Sequence, residues 1–383
     1  MICPCSTSRY RWLRTFCSWI CLLAGCCSLP PAKAQELDKP LQNIDDEITA
    51  FAFLPDGRIV YAARRTFHTK LYDLQHDDIW MQEANGKKRR LLQGDKFNRE
   101  KMTFSYAVDA FRVSASGHNI AAQLFATTIT DDSSKPVDSS MMLLLEENGK
   151  EIRPGGTDSL IKDAGNASWL ADNATLIYMT EAVKPRVLFS FQYTNIATGP
   201  AGHAFEGRTF LDGGYVPRAN VAIAVERDHA QTGPPRLQRL ELLAQDDQEL
   251  ATLESFAGGL IVSPSGKRVA YFLDKEVLEV RDLAAPNRVA RLRVGFGVAQ
   301  WSPDETRILL KRAPEKKSGD LVWIDVPELA AYSPAQEIPV TQPAARTILH
   351  ALTFREFAIS ADGKFLGVIA PGKRNLLVFA LPR

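Results

Sequence analysis

The chain has 383 residues, of which 46 are basic and 45 acidic, so its formal net charge is +1. The first 34 residues hold four of the basic residues and no acidic one, which leaves 42 basic against 45 acidic residues in the remainder. A nucleic-acid-binding protein usually carries a basic surface, so the composition speaks against that class of partner. All six cysteines lie between Cys3 and Cys27, which excludes disulfides, iron–sulfur clusters and cysteine zinc sites from the rest of the chain.

The N-terminal segment has the plan of a secretory signal. A basic stretch, Arg9–Arg14, precedes an apolar run, Thr15–Gly25, and Pro30-Pro31 interrupts the segment before it is long enough to cross a bilayer as a helix. The sequence therefore predicts a signal peptide at residues 1–34 and export across the inner membrane.

Two processing sites are compatible with this segment. Leu23-Ala-Gly-Cys26 fits a bacterial lipobox, in which Cys26 is lipidated and becomes the first residue of an outer-membrane-anchored lipoprotein. Ala32-Lys-Ala34 instead fits the small-residue rule for cleavage before Gln35, which would release a soluble periplasmic protein.

Seven copies of one hairpin pattern follow in chain order. Each copy has an apolar or aromatic anchor, a turn of the Ser-Pro-Asp-Gly type and a short apolar strand, most clearly at Val262-Ser-Pro-Ser-Gly266 and Trp301-Ser-Pro-Asp-Glu305. The anchors lie roughly 40 to 60 residues apart, near or above the length of a four-stranded propeller blade. They are Phe53, Val113, Trp169, Tyr215, Val262, Trp301 and Ile359.

Two further strand-like runs follow the hairpins, as at Glu276–Leu283 and Arg288–Val294, where apolar and charged residues alternate. The last copy stops one strand short after Asn375–Leu381, while an unassigned strand-like segment, Pro40–Ile44, precedes the first copy. The sequence thus predicts an all-β protein, a seven-bladed β-propeller of four-stranded blades at residues 40–383, with the ring closed by the N-terminal strand. Stacked β-sandwiches are the alternative, because they also have regularly spaced turns.

Three copies, at Ile261–Tyr271, Gln300–Leu310 and Ile359–Val368, resemble the WD40-like repeat of the TolB-type propellers. TolB itself has six blades and an additional N-terminal α/β domain, whereas the first hairpin of this chain begins soon after the leader. The resemblance implies a periplasmic or envelope location and the binding of proteins or peptides. Similar propellers precede the hydrolase domains of prolyl oligopeptidases, but this sequence has no Gly-x-Ser-x-Gly elbow.

Acidic residues are predicted to surround the channel mouth, on the loops that lead into the first strand of each copy. In a propeller these loops open on the same face as the loops joining strands two and three, where four insertions fall at Arg65–Asp78, Thr128–Ser140, Arg227–Arg236 and Pro314–Gly319. Such a rim would take a basic peptide segment or a hard cation such as Ca²⁺, unless these are ordinary solvated loop residues. The predicted rim residues are Asp45, Asp46, Glu47, Asp109, Asp163, Asp212, Arg355 and Glu356.

Other candidate groups carry weaker signals. His68, His76, Asp77 and Asp78 fall in one predicted loop, and imidazole with carboxylate binds Zn²⁺ or Mn²⁺, but their spacing fits no rigid ligand frame. The sequence therefore predicts no metal site, no cofactor and no catalytic residue. The anchors Phe53, Trp169 and Trp301 are predicted core residues, and the basic stretches Lys87–Arg90 and Lys311–Lys317 are predicted solvated turns that would contact anionic lipid only in an anchored protein.

The leading functional hypothesis is a non-catalytic exported scaffold that binds a partner protein or peptide in the cell envelope. The alternative is a propeller hydrolase, for instance a lactonase-like metalloenzyme with metal ligands in the central channel. That alternative needs carboxylate, amide or imidazole ligands that converge from several blades.

Overall fold

A computed structural model describes residues 37, 39–68, 73–94, 102–130, 137–183, 188–227, 233–312, 319–333, 336–352 and 356–381. The predicted signal peptide with Cys26, and also Arg355, lie outside these residues. Gln35–Arg383 forms one compact unit. Its described regular elements are antiparallel strands, apart from short 3-10 turns such as Pro154–Gly156 and one parallel pairing.

The first half of the chain forms one short strand and then four sheets of four strands, here numbered sheets 1 to 4. Sheets 3 and 4 are joined by a single pairing, between Phe189 and Phe210. The strands are β1 (Gln42–Ile44); in sheet 1, β2 (Ile48–Phe53), β3 (Ile59–His68), β4 (Asp73–Gln82) and β5 (Lys88–Leu92); in sheet 2, β6 (Met102–Val113), β7 (Asn119–Thr130), β8 (Val137–Glu146) and β9 (Leu160–Lys162); in sheet 3, β10 (Gly165–Trp169), β11 (Thr175–Val183), β12 (Leu188–Asn195) and β13 (Gly199–Ala204); in sheet 4, β14 (Phe210–Tyr215), β15 (Val221–Glu226), β16 (Arg236–Glu241) and β17 (Asp246–Thr252).

The second half forms sheets 5 to 7, and β1 belongs to the last of them. Two short strands, which come from the connection between the last two strands of sheet 6, lie along the outer edge of sheet 5. The strands are β18 (Gly258–Val262), β19 (Arg268–Phe272), β20 (Val277–Asp282) and β21 (Arg288–Arg293) in sheet 5; β22 (Gly297–Trp301), β23 (Arg307–Arg312) and β24 (Gly319–Asp325) in sheet 6; the edge strands β25 (Ala330–Ala331) and β26 (Val340–Thr341); β27 (Ala345–Leu352) in sheet 6; and β28 (Phe357–Ile359), β29 (Phe365–Ile369) and β30 (Leu376–Ala380) in sheet 7.

The hydrophobic core lies between consecutive sheets. Alternate residues of a middle strand enter different clusters: Leu310 of β23 packs towards sheet 5, whereas Leu309 packs towards sheet 7. Both faces of such strands are buried, which is why they are near-continuous apolar runs. Trp169 and Trp301 are buried in these layers, so their prediction as core residues is confirmed, while Phe53 is half-buried at the edge of its cluster.

Each predicted anchor is the last residue of the first strand of a sheet, so the seven predicted hairpins are confirmed. The serine that follows the anchor is a turn-building residue. In sheet 6 the Ser302 hydroxyl accepts a hydrogen bond from the Arg307 N–H at 3.0 Å and donates to Asp304. Ser263 and Ser360 bond in the same way to residues five positions further on, and all three serines are buried. Because these serine hydroxyls accept hydrogen bonds from backbone N–H groups of the turns, we assign them a structural role.

The segments predicted as insertions between strands two and three are largely strand where they are described. β3 continues to His68 and β4 begins at Asp73, with Arg65 paired to His76 and Arg64 to Asp77. The prediction that His68, His76, Asp77 and Asp78 share a loop is therefore wrong. The sequence pattern did not predict these strands, because polar and charged side chains occupy buried positions where a strand normally has apolar residues.

The N-terminal segment forms a strand in the last sheet. Gln42, Asn43 and Ile44 of β1 pair with Val378, Leu377 and Leu376 of β30. Ile44 is buried in the cluster that joins sheet 7 to sheet 1. Sheet 7 thus draws its strands from both ends of the described chain.

Candidate functional site

In each sheet a tight turn follows the first strand, and the turns of consecutive sheets lie next to each other. Three neighbouring pairs are hydrogen-bonded through a side chain, and in three other pairs a glycine packs closely against the preceding turn. The bonded pairs are Ser116 with Asn173, Ala171 with Asn220, and Ser265 with Glu305; the packed pairs are Gly117 with Pro55, Gly266 with Val216, and Gly363 with Pro303. The C-terminal ends of the first strands therefore share one side of the molecule, and their starts share the other.

We call this other side the mouth rim; its segments lie at the starts of the first strands, except that β6 begins earlier, at Met102, and contributes residues from its middle. The mouth rim comprises Asp45–Ile48, Val108–Ala110, Asp163–Asn166, Leu211–Gly213, Gly258–Leu260, Gly297–Ala299 and Glu356–Ala358. The pairing register of five of the first strands shifts at this level, with bulges at Ile48/Ala50, Val108/Ala110, Gly165/Ser168, Phe210/Asp212 and Gly258/Ile261. A bulge turns a side chain away from the regular alternation, and Asp109 lies in one of these bulges.

Asp212 joins two neighbouring sheets. Its carboxylate accepts hydrogen bonds from the N–H of Leu260 in sheet 5 at 3.1 Å and from its neighbour Gly213 at 2.8 Å. Burial raises the pKa of this carboxyl, although the backbone donors oppose the shift. Asp212 is on the predicted rim, but its carboxylate already has structural partners.

Asp46 is paired with a cation. The Arg65 guanidinium donates to both of its oxygens, at 2.7 and 2.8 Å, and this contact holds the pKa of Asp46 below its usual value. A bidentate pair of this kind leaves little net charge for a ligand.

Four of the predicted acids are exposed and form no ion pair with any residue that the structure describes: Asp45, Glu47, Asp109 and Asp163. They belong to three consecutive sheets, sheets 1 to 3: Asp45, Glu47 and Asp163 come just before the first strand of their sheet, and Asp109 lies in the bulge of β6. Glu356 is half-buried before β28, and its Oε2 has no hydrogen-bond partner among the described residues. The mouth rim is thus acidic over an arc of three sheets.

Asp77 is a buried carboxylate just behind this arc. It accepts hydrogen bonds from the Thr49 hydroxyl at 2.6 Å and from the Val108 N–H of sheet 2 at 2.7 Å, and Arg64 lies 3.3 Å away. These partners make Asp77 a link between sheets 1 and 2. Within the described ranges, no three His, Cys, Asp or Glu residues are placed to hold a metal ion.

The first strands of the seven sheets, β2, β6, β10, β14, β18, β22 and β28, are here called the first-strand wall. Arg112 of β6 belongs to this wall and was not among the residues predicted from the sequence. It precedes the anchor Val113, and its Nε donates to the Ala167 carbonyl of sheet 3 at 3.0 Å. Aligning the seven copies on their anchors gives a signal that could have identified it, because the other residues at this position are uncharged. They are Ala52, Ser168, Gly214, Ile261, Gln300 and Ala358.

A groove of about 730 Å³ lies between sheets 2 and 3, close to the turns after their first strands. Two of its three acidic residues are in ion pairs, Glu147 with Arg58 and His118, and Glu146 with Lys150, while Glu151 accepts a hydrogen bond from the Ser159 hydroxyl. We therefore regard the mouth rim, with its unpaired carboxylates, as the better candidate site.

Comparisons with known proteins identify the fold. No family model matches the sequence, and no curated protein matches it in sequence. Among solved structures, the chain is similar to a WD40 β-propeller in a crystal structure of a mitotic checkpoint complex, with a TM-score of 0.54 and 13% identity over 95% of this chain and 99% of that one. At this identity the likeness shows a WD40-like propeller fold alone. In the part of the chain that the structure describes, no helix is long and apolar enough to span a membrane.

Proposed function

We propose that the protein is a seven-bladed propeller whose ring is closed by β1, and that it serves as a non-catalytic scaffold for a protein or peptide partner. Two observations support the ring. Seven core clusters each join consecutive sheets, and one of them joins sheet 7 to sheet 1. Among the first strands, β2 packs against both β6 and β28.

The binding face in this proposal is the mouth rim. The observation that carries it is the arc of four exposed, unpaired carboxylates, Asp45, Glu47, Asp109 and Asp163, on three consecutive sheets. Grouped negative charges attract a basic peptide segment electrostatically, and hard carboxylate oxygens suit Ca²⁺. None of these four carboxylates forms an ion pair with a described residue, although Asp109 interacts electrostatically with Arg112, so most of their charge is available to a partner.

The partner in this proposal is in the cell envelope. The support is the basic and apolar leader with its two processing sites, together with the resemblance of the Ser-Pro-Asp-Gly copies to TolB-type repeats. In this proposal Cys26 carries the lipid anchor if the lipobox is used, and the protein is free in the periplasm if cleavage follows Ala34. Mass spectrometry of the mature N-terminus distinguishes these two forms.

Neutralising the acidic arc is expected to weaken binding of a basic peptide. A variant with Asp45→Asn, Glu47→Gln, Asp109→Asn and Asp163→Asn should bind oligolysine about tenfold or more weakly at low salt, because the local potential is lost. Isothermal titration calorimetry with oligolysine and with CaCl₂ measures this effect, and added salt should reduce binding to the unaltered protein.

The matched control removes four exposed acids that lie elsewhere, by Glu206→Gln, Asp325→Asn, Glu328→Gln and Glu337→Gln. It changes the net charge by the same amount and should retain full affinity. Equal affinity in the arc variant and the unaltered protein would reject the mouth rim as the binding face. Capture of envelope proteins with both variants then tests whether the natural partner uses the same face.

A further inference from the structure

Arg112 is the one charged residue at its level of the first-strand wall. Its side chain is half-buried, and burial lowers the pKa of its guanidinium, although the fields of Tyr215 and Asp109 oppose that shift. The Trp169 indole N–H donates to the Arg112 carbonyl at 2.9 Å and so holds the backbone at this point. The cation is therefore fixed in place and poorly solvated.

The partners of this guanidinium are neutral. Nε donates to the Ala167 carbonyl at 3.0 Å and Nη1 to the Phe111 carbonyl at 3.1 Å, while Nη2 has no hydrogen-bond partner among the described residues. Asp109 is close enough to act on Arg112 electrostatically, yet the described residues place no carboxylate in an ion pair with it. A half-buried cation without a counter-charge is costly, since carbonyls compensate it only in part.

A carboxylate fits this environment better than other anions. The guanidinium fork matches the two oxygens of a carboxylate, and one negative charge balances one positive charge. A phosphate dianion would add a second negative charge close to Asp109.

We propose that the first-strand wall contains a carboxylate-binding subsite centred on Arg112. The carboxylate is either the C-terminus of a peptide or that of a small organic acid. The peptide source rests on the proposed function, because the acidic arc would then hold basic side chains of the peptide while Arg112 holds its terminal carboxylate.

The test uses the purified protein and three probes: the peptide N-acetyl-Lys-Lys-Ala with a free carboxylate, the same peptide as its C-terminal amide, and sodium acetate. The free acid should bind about tenfold or more tightly than the amide, because only the acid forms the charge-assisted pair. Arg112→Gln should abolish this difference and leave binding of the amide unchanged. Arg293→Gln, which removes an exposed arginine of β21, should preserve the difference.

The outcomes separate this subsite from the proposed function. Equal binding of acid and amide by the unaltered protein overturns the subsite, as does an Arg112→Gln variant that keeps the preference. Acetate binding that is lost in Arg112→Gln, without binding of either peptide, supports the subsite and counts against the peptide-binding function. No binding of acetate or of the free acid also overturns it. If Arg112→Gln does not fold, the comparison of acid with amide on the unaltered protein decides alone.

Discussion

Glu279→Gln should lower the free energy of unfolding by about 3–5 kcal/mol, because it removes the anion from a buried charge network. Glu279 of β20 is fully buried, and its carboxylate accepts from Tyr271, Arg281 and Arg291. Burial alone would raise its pKa, but the Arg281 charge and the other donors outweigh burial and hold the pKa below its usual value. Both arginine side chains are only 12% exposed. In the variant Arg291 keeps an exposed partner, Glu254 at 3.1 Å, whereas Arg281 becomes a buried cation with neutral partners alone.

Urea denaturation followed by tryptophan fluorescence measures this change. The matched control is Glu276→Gln, which neutralises an acid one residue before β20 whose side chain is 67% exposed and lies 3.8 Å from Arg293. Exposed pairs contribute about 0–1 kcal/mol, so the control should stay close to the unaltered protein. A loss of less than about 1 kcal/mol in Glu279→Gln would contradict the view that this network holds sheet 5 together.

Deleting Pro40–Ile44 should lower the free energy of unfolding by about 3–5 kcal/mol and promote association. Removing the buried Ile44 side chain alone costs about 2–4 kcal/mol, on the scale of large-to-small core substitutions. The deletion also removes the β1–β30 pairing and leaves the backbone edge of β30 open, and an open edge strand tends to pair with another chain.

Urea denaturation and size-exclusion chromatography test these two effects. Asn43→Ala is the control, because Asn43 is exposed and the ladder uses its backbone; it should cost less than about 0.5 kcal/mol. If the deletion variant is as stable as the unaltered protein and remains monomeric, the N-terminal strand has no part in closing the ring.

The hairpins and the N-terminal strand could be predicted from the sequence. Turn residues after Val262, Trp301 and Ile359 place the hairpins, since a buried serine with a following Pro, Asp or Gly satisfies the backbone of one tight turn. The assignment of Pro40–Ile44 as a strand followed from counting strands. Both inferences need only short-range patterns and the requirement that a sheet edge be covered.

Contacts between residues distant in sequence could not be predicted. The polar stretch before Asp78 looked like a loop, whereas Asp77 is buried by Thr49 and by the backbone of Val108 in another sheet. The pairing of Asp46 with Arg65 is likewise set by the fold, and it separates Asp46 from its exposed neighbours. The β25 and β26 strands form because the β21 edge is open to them, which their own short sequences do not indicate.

Closure of the ring is the claim on which the shared mouth rim depends, and an engineered disulfide tests it most directly. Residues 35–383 contain no cysteine, so a chain of these residues with Asn43→Cys and Leu377→Cys has a single thiol pair. These positions are partners across β1 and β30, and opposed strand residues have Cα atoms within the roughly 4.4–6.8 Å that a disulfide spans. The control pair, Asn43→Cys with Ala380→Cys, is three residues out of register.

Mass spectrometry of non-reduced peptides reads out the result. We expect oxidation to link residues 43 and 377 within one chain, and to leave the control pair largely unlinked. If the first pair stays reduced under conditions that oxidise free thiols, or if both pairs link equally, β1 is not held beside β30 and the closed ring is contradicted.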